Sequence, residues 1–164
     1  MKTLTDLLLL GNPILYQKSL PIEQSELPSV EEWVADLDNV MKEIRLKYNF
    51  GRGIAAPQLG IMKRLIYIHV DKPVVIINPE FTFKSEELFE VWDDCMCFPQ
   101  LFVKVMRHQE IKVKYRDQNW QLSEWYLKDG LAELFQHEYD HLEGILCTMR
   151  AVDDKSFKWR GILN

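Results

Sequence analysis

Hydrophobic residues recur at three- and four-residue intervals in two parts of the chain, and this spacing is typical of helices that pack on one face. The first stripe consists of Val30, Trp33, Val34, Leu37, Met41, Ile44 and Tyr48. The residues Ser29-Val30-Glu31-Glu32 have the pattern of a capping box, so we expect this helix to begin there. The second stripe follows Asp129-Gly130 and consists of Leu131, Leu134, Phe135, Glu138, His141 and Leu142. Gly144 stands where a helix commonly ends in the left-handed conformation.

Between these helices, from Arg64 to Tyr126, the pattern changes to short β-rich runs. Two apolar runs, 65–68 and 74–77, are bounded by Pro73 and by Asn78-Pro79, which favour turns and the ends of strands. Residues 111–115 alternate between apolar and polar, and a polar turn separates them from the run at 125–127. The order of elements predicts an α+β fold, with antiparallel or mixed β-sheets packed around the second, central helix.

The chain has 164 residues, the usual size of one domain, so we expect residues 1–164 to form a single unit. A domain of this length buries roughly two-thirds of its unfolded surface, so a metal ion would serve chemistry rather than hold the fold together. The net charge is −5, with 20 basic and 25 acidic residues. This balance argues against nucleic-acid binding, because nucleic-acid-binding proteins carry a basic excess or a basic face.

Three cysteines, an odd number, argue against the disulfide framework of a small secreted protein and indicate a reduced, cytoplasmic environment. The longest apolar run near the N-terminus, Leu7-Leu8-Leu9-Leu10, is too short to span a membrane and lacks a cleavage pattern behind it. We therefore expect neither an export signal nor a membrane partner.

The strongest chemical signal is an H-E-x-x-H sequence, His137-Glu138-Tyr139-Asp140-His141, on the second predicted helix. Positions four apart differ by only about 40° around a helix axis, so both imidazoles leave one face and can bind one metal ion. Glu138 stands beside them, where it can act on a water molecule. We assign Asp140 a structural role, such as an ion pair or a helix contact. The other histidines, His69 and His108, have no partner at metal-binding spacing.

A catalytic metal site needs a third protein ligand and one open position, and the sequence offers two candidates. Cys147 follows His141 by six residues, as the last ligand does in H-E-x-x-H-x-x-G-x-x-H metalloproteases. Cys95 lies far upstream, in Asp93-Asp94-Cys95-Met96-Cys97. Spacing alone does not choose between them.

A glycine-rich segment, Gly51-Arg52-Gly53-Ile54-Ala55-Ala56-Pro57-Gln58, follows the first helix. It lacks both the Lys-Ser/Thr pair and the preceding strand of a phosphate-binding loop. Its glycines let the backbone run close to a ligand, and Gln58 offers an amide donor.

Together, this segment, Cys95 and the H-E-x-x-H helix resemble the motifs of the peptide deformylases, which read G-x-G-x-A-A-x-Q, E-G-C-L-S and H-E-x-D-H. The first and third motifs are complete here and in the right order, and the similarity extends from about residue 4 to residue 150. The resemblance implies Cys95, His137 and His141 as ligands of one divalent metal ion, with Cys147 in the core. It also implies Fe²⁺ as a frequent ion, whereas one thiolate and two imidazoles suit Zn²⁺, and Ni²⁺ or Co²⁺ also fits.

The resemblance further implies roles for individual residues. Glu138 would take a proton from water and deliver it to the leaving amine. The side-chain amide of Gln58 and the backbone N–H of Met96 would donate to the developing oxyanion. Gly53, beside Arg52, would let a peptide dock against the loop as an added strand.

The second motif departs from the family pattern. Asp94 replaces the glycine before the cysteine ligand, and Cys97 replaces the serine after it. Glu133 stands on the helix face that borders the substrate side-chain pocket in the family. Asp94 would either line the site and favour a cationic substrate or pair with a basic side chain such as Arg52 or Arg107.

We hypothesise a metal-dependent hydrolase that removes the N-formyl group from formyl-methionine peptides of nascent proteins. We expect it to act as a monomer in the cytoplasm, in transient contact with the ribosome. The alternatives are a related deformylase for another N-formyl compound, a metalloendopeptidase that uses His137, His141 and Cys147, and a non-enzymatic metal- or peptide-binding protein. The departures at Asp94 and Glu133 motivate the first alternative.

Overall fold

The computed structural model describes residues 1–162, which form two α-helices, eight β-strands and several short 3-10 helices. The helices are α1 (Leu27–Tyr48) and α2 (Asp129–Leu142). The strands are β1 (Gly53–Ala55), β2 (Leu65–His69), β3 (Pro73–Lys84), β4 (Leu88–Asp94), β5 (Leu101–His108), β6 (Glu110–Arg116), β7 (Leu122–Lys128) and β8 (Phe157–Trp159). Neither described helix combines the length and the apolar character needed to cross a bilayer.

The strands form two sheets, and α2 contacts strands of both. The larger sheet has the order β1-β2-β3-β6-β7, and the smaller one has the order β4-β5-β8. Between β3 and β6 the chain forms β4 and β5, which pair with each other in the smaller sheet. Strands β3 and β6 are nevertheless neighbours in the larger sheet. The predicted α+β class is confirmed, and the pairs between the described strands are antiparallel rather than mixed.

Helix α1 begins earlier than its sequence pattern predicts. The expected start at Ser29 is wrong, because the helix begins at Leu27 and includes Pro28 in its first turn. Proline suits this position, since its fixed φ is helical and a first-turn N–H needs no helical partner. The helix ends at Tyr48 and is capped by Asn49, whose φ of 59° is left-handed.

Strand β3 is longer than predicted, because it continues through Asn78-Pro79. Its pairing with β6 shifts register between Ile77 and Glu80, so the proline lies at an irregularity, where prolines within sheets are tolerated. Asn78 has a φ of 50°, and its side chain exchanges two hydrogen bonds with the backbone of Ile22. The residues that predicted the end of a strand therefore mark a bulge within one.

Helix α2 is the centre of the fold. Every residue from Ala132 to Leu142 is buried except Tyr139, which is half-buried. Beyond the helix, Gly144 has the predicted left-handed conformation, with a φ of 72°. A Cβ atom there would lie 2.6 Å from the backbone of Tyr16, so both conformation and space require glycine.

Residues 4–20, here called the N-terminal segment, have little regular structure and yet are fixed to the centre of the fold. The backbone N–H of Leu8 donates to the carbonyl of Gln58 at 2.9 Å. The N–H of Leu10 donates to the carbonyl of Cys97 at 3.0 Å, and that of Ser19 to the carbonyl of Leu142 at 2.9 Å. The segment thus contacts the backbone of all three regions that carry the sequence motifs.

Candidate metal centre

The three motif regions meet at one end of an open cavity of about 430 Å³. Eight of the ten predicted site residues line this cavity: Arg52, Gly53, Gln58, Asp94, Met96, Glu133, His137 and Glu138. The other two, Cys95 and His141, are each 1% exposed and lie behind its inner wall. The structure therefore brings together residues that are up to 89 positions apart, from Arg52 to His141.

The donor atoms of Cys95, His137 and His141 are close enough to share one cation. The Sγ atom of Cys95 lies 3.4 Å from Nε2 of His141, which lies 3.2 Å from Nε2 of His137. Tetrahedral Zn²⁺, with bonds of about 2.0–2.1 Å to nitrogen and about 2.3 Å to sulfur, separates two nitrogens by about 3.3 Å and nitrogen from sulfur by about 3.6 Å. The three donors therefore fit a divalent ion of this size.

Cys147, the competing third ligand, lies elsewhere around His137. It groups with Asp93 and His137, whereas Cys95 groups with His137 and His141. Cys147 is buried among apolar side chains, as expected of a core residue. Within residues 1–162, the ligand set of the metalloendopeptidase alternative is therefore not assembled.

A chain of alternating charges reaches His137 from the protein surface. Asp93 Oδ1 lies 2.8 Å from Nδ1 of His137, in a close charged contact rather than an aligned hydrogen bond. Arg107 donates to Asp93 at 2.8 Å and to Asp140 at 2.6 Å. The partly exposed Arg150 donates to both oxygens of Asp140, at 2.5 and 2.7 Å. Asp140 therefore has a structural role, and of the two roles expected for it, an ion pair or a helix contact, the structure shows ion pairs.

Burial and these charges set the protonation of the donors. Burial alone would lower the pKa of His137, but Asp93 outweighs it and raises that pKa. Burial and the charge of His137 lower the pKa of His141, and burial raises the pKa of the Cys95 thiol. Metal binding needs neutral imidazoles and a thiolate, so a divalent cation has to displace protons from His137 and Cys95.

Glu138 lines the cavity directly beside the donors. Burial raises the pKa of Glu138 to about 7. Its Oε2 atom is buried and has no hydrogen-bond partner among the described residues. A Cβ atom at Gly53 would lie 3.0 Å from both Cγ and Oε1 of Glu138, so the loop approaches this closely because residue 53 is glycine. A carboxyl group that can accept and release a proton near neutral pH thus borders the cavity.

The amide of Gln58 has a defined orientation. Its Oε1 atom accepts a hydrogen bond from the backbone N–H of Ala55 at 2.8 Å, which places the NH₂ group on the other side. That Nε2 atom lies 3.8 Å from Sγ of Cys95 and 3.5 Å from Sγ of Cys97. An amide donor is therefore held next to the candidate metal ligand, and Cys97 contacts the same amide.

The two carboxylates that depart from the family pattern each pair with an arginine. Asp94 pairs with Arg160 at 2.5 Å, and Glu133 pairs with Arg52 at 2.8 Å. Asp94 therefore pairs with a basic side chain, as one of the two expectations held. The two examples named for that partner, Arg52 and Arg107, are wrong, because both are bonded to other carboxylates. Arg160 lies 66 residues after Asp94, and no local sequence pattern connects them.

Sequence reasoning missed three aromatic residues that line the cavity, Phe50, Trp92 and Phe102. No local signal placed Trp92, because the residues of β4, Leu88–Asp94, do not alternate between apolar and polar. His69 and His108 lie outside the cavity, as expected. His108 Nδ1 contacts the carbonyl of Ser85 at 2.6 Å.

The family model described as polypeptide deformylase matches residues 4–157 of the chain. The chain belongs to this family. Among curated relatives, the peptide deformylase of Pseudothermotoga lettingae is 36% identical over 138 residues, which cover 84% of this chain and 77% of the relative. The crystal structure of peptide deformylase from Thermotoga maritima has a TM-score of 0.80 and 32% identity, covering 90% of this chain and 97% of that one.

A peptide deformylase from Synechococcus elongatus, solved in complex with actinonin, has a TM-score of 0.83 and 29% identity, covering 90% of this chain and 79% of that one. The α+β architecture of this deformylase is thus shared with solved members of its family. The family is metal-dependent, and the three buried donors are the candidate metal centre of this member.

Proposed function

We propose that this protein is a peptide deformylase, which hydrolyses the formamide C–N bond of N-formyl-methionine peptides at the start of nascent proteins and releases formate. The observation that carries this proposal is the donor group of Cys95, His137 and His141 next to Glu138 at the inner end of an open cavity. Membership of the deformylase family supports the same reaction.

We propose that Cys95, His137 and His141 hold one divalent cation per chain. Fe²⁺ and Zn²⁺ are the proposed ions, and Ni²⁺ or Co²⁺ suits the same donors. When bound, such a cation supplies Lewis acidity, which in favourable zinc enzymes lowers the pKa of water to about 7. Asp93 holds His137 from the side of Nδ1, which leaves Nε2 for the cation.

Glu138 is the proposed general base and then general acid. It takes the proton of the attacking water and passes it to the leaving nitrogen, and a pKa of about 7 suits both transfers. The Gln58 amide and the backbone N–H of Met96 are the proposed donors to the oxyanion that forms from the formyl oxygen. Each such donor contributes roughly 3 kcal/mol of transition-state stabilisation.

The substrate peptide is proposed to lie along the loop at Gly53, with Arg52, Glu133 and Asp94 shaping the cavity around it. Glu133 pairs with Arg52 and Asp94 pairs with Arg160, so the negative charge of each carboxylate is compensated. This compensation supports binding of a neutral peptide as well as a cationic one. We further propose that residues 1–164 act as a single catalytic domain, monomeric and cytoplasmic, in transient contact with the ribosome.

Formate release from formyl-Met peptides, measured together with the metal content of the same sample, tests this function. We expect the unmodified protein to release formate with one metal ion per chain. Glu138→Ala should keep the metal and lose about 10²–10⁴-fold in rate, because a positioned acid–base group typically contributes this much. Cys95→Ser should lose the metal, whereas the matched variant Cys147→Ser should keep it.

Two outcomes would contradict the proposal. Loss of the metal from Cys147→Ser but not from Cys95→Ser would show that the ligand set is wrong. An unchanged kcat in metal-loaded Glu138→Ala would remove the assigned role of this residue.

A further inference from the structure

The segment after β8 reaches the outer wall of the cavity through one residue, Arg160. Strand β8 extends the smaller sheet by pairing with β5 at three positions, and Arg160 follows it directly. The backbone N–H of Arg160 donates to the carbonyl of Gln100, and its Nε atom donates to the carbonyl of Pro99, both at 2.7 Å. Arg160 is thus fixed by its backbone and by one edge of its guanidinium group.

Arg160 contacts three residues that line the cavity, although it does not line the cavity itself. Its Nη2 atom donates to Asp94 at 2.5 Å. The central guanidinium carbon lies 4.2 Å from the ring centroid of Phe50 and 4.3 Å from that of Phe102. Arg160 therefore joins the end of β4, the loop after α1 and the start of β5.

These contacts depend on the shape of arginine as well as on its charge. The side chains of Arg160 and Asp94 are 24% and 28% exposed, and an ion pair this exposed contributes little by itself. A planar guanidinium group, however, can contact aromatic rings while its edges donate hydrogen bonds, which an ammonium group does not reproduce. Asp94 stands where the family motif has a glycine, which would offer no side chain to hold Arg160.

The outer wall of the cavity, formed by Asp94, Phe50 and Phe102, lies where it would contact only part of a bound substrate. His137 and Glu138 lie at the buried end of the cavity, whereas Asp94, Phe50 and Phe102 are only half-buried. A formyl group that reaches the buried end leaves the following residues of the peptide to pass the exposed wall.

We propose that Arg160 is a positioning residue that acts through Asp94, Phe50 and Phe102 to set the affinity of the enzyme for the peptide beyond its formylated residue. The inference rests on the proposed function, because the peptide is the ligand. It makes the C-terminal segment a determinant of substrate binding rather than only an edge of the smaller sheet.

The test compares two substrates of different length on the full-length, metal-loaded enzyme. N-formyl-methionine amide has no residue beyond the first, and an N-formyl-methionyl tripeptide has two. In Arg160→Met we expect KM for the tripeptide to rise on the order of tenfold with little change in kcat, which is the pattern of lost substrate binding. The kinetics with the amide should stay unchanged.

Further variants separate positioning from general damage to the fold. Asp94→Asn should shift KM for the tripeptide in the same direction. The double variant should be no worse than the worse single one, because Arg160→Met already removes the Arg160–Asp94 contact that Asp94→Asn weakens. Arg160→Lys, which keeps the charge but not the planar group, should fall between the parent and Arg160→Met. Arg116→Met is the matched control, because its guanidinium packs near Trp120, outside the cavity.

The outcomes are distinguishable. Equal losses on both substrates, no loss on either, or fully additive effects in the double variant would overturn the inference. No formate release from either substrate by the metal-loaded parent enzyme would instead contradict the proposed function.

Discussion

Replacing Arg107 by methionine would remove a charge that two buried carboxylates share. The side chain of Arg107 is 3% exposed and donates to Asp93 and Asp140. Burial alone would lower the pKa of Arg107, but the two carboxylates outweigh it and raise that pKa, so the group stays charged. Methionine keeps a long, flexible side chain and removes every donor.

The cost falls mainly on Asp93. Asp140 keeps its two hydrogen bonds from Arg150, whereas the side chain of Asp93 is 1% exposed and would keep His137 as its one ion-pair partner among the described residues. Breaking a buried pair by removing one partner costs about 3–5 kcal/mol. Because Asp140 keeps a partner, we expect the lower end of this range, about 3 kcal/mol. In a protein of this size, such a loss lowers Tm by about 6–12 °C.

Urea unfolding, followed by tryptophan fluorescence and circular dichroism, measures this loss. The free Zn²⁺ concentration must be the same in all samples, because a ligand that binds only the folded state adds its own stabilisation. Arg116→Met is the control, since among residues 1–162 Arg116 donates only to the backbone carbonyl of Trp120, and it should change the free energy of unfolding by less than about 0.5 kcal/mol. A loss below about 1 kcal/mol in Arg107→Met would refute this account of the buried charges.

Two further predictions concern Gly53 and Tyr67. Gly53→Ala places a methyl group 3.0 Å from Glu138, so we expect formate release to fall at least about tenfold with unchanged metal content. An equal fall in the control Gly130→Ala, whose Cβ would have an ordinary 3.7 Å contact with Arg52, would contradict this. Burial raises the pKa of Tyr67 from 10.0 to about 12, so the stability linked to this proton is present below pH 10 and is lost as pH rises through 12. Near-ultraviolet titration should show a tyrosine ionising near pH 12 that Tyr67→Phe lacks, and loss of a tyrosine titrating near pH 10 instead would refute the shift.

The features that sequence predicted well are those encoded by nearby residues. Helical spacing located α2, and the four-residue interval between His137 and His141 placed both imidazoles on one face. Spacing did not choose between Cys95 and Cys147 as the third candidate ligand. The resemblance to the family motif around Cys95 favoured Cys95, whose donor atom lies close to those of His137 and His141. Local signals failed where two of them competed, as when Pro28 extended α1 past the apparent capping box.

The features that sequence did not predict depend on contacts between distant residues. Arg107 contacts Asp93 and Asp140 because β4, β5 and α2 pack together. The residue pattern within any one of these elements does not predict which residues of the others it will contact. Arg160 reaches Asp94 only after β8 has paired with β5. Such partners follow from the tertiary structure, so they could not be found before it.

The N-terminal segment has a consequence for how this region can change during evolution. Its bonds to Gln58, Cys97 and Leu142 use backbone N–H groups, which any residue except proline supplies. Substitution of an exposed side chain such as Leu9 leaves all of them in place. Deletion of one residue between Leu10 and Ser19 would instead shorten the chain between them, so that their two N–H groups could no longer both reach the carbonyls of Cys97 and Leu142. We therefore expect the exposed positions of this segment to vary in identity while its length and its buried positions, such as Leu15, stay fixed. A fixed length is the reverse of what is usual for irregular chain at a protein surface.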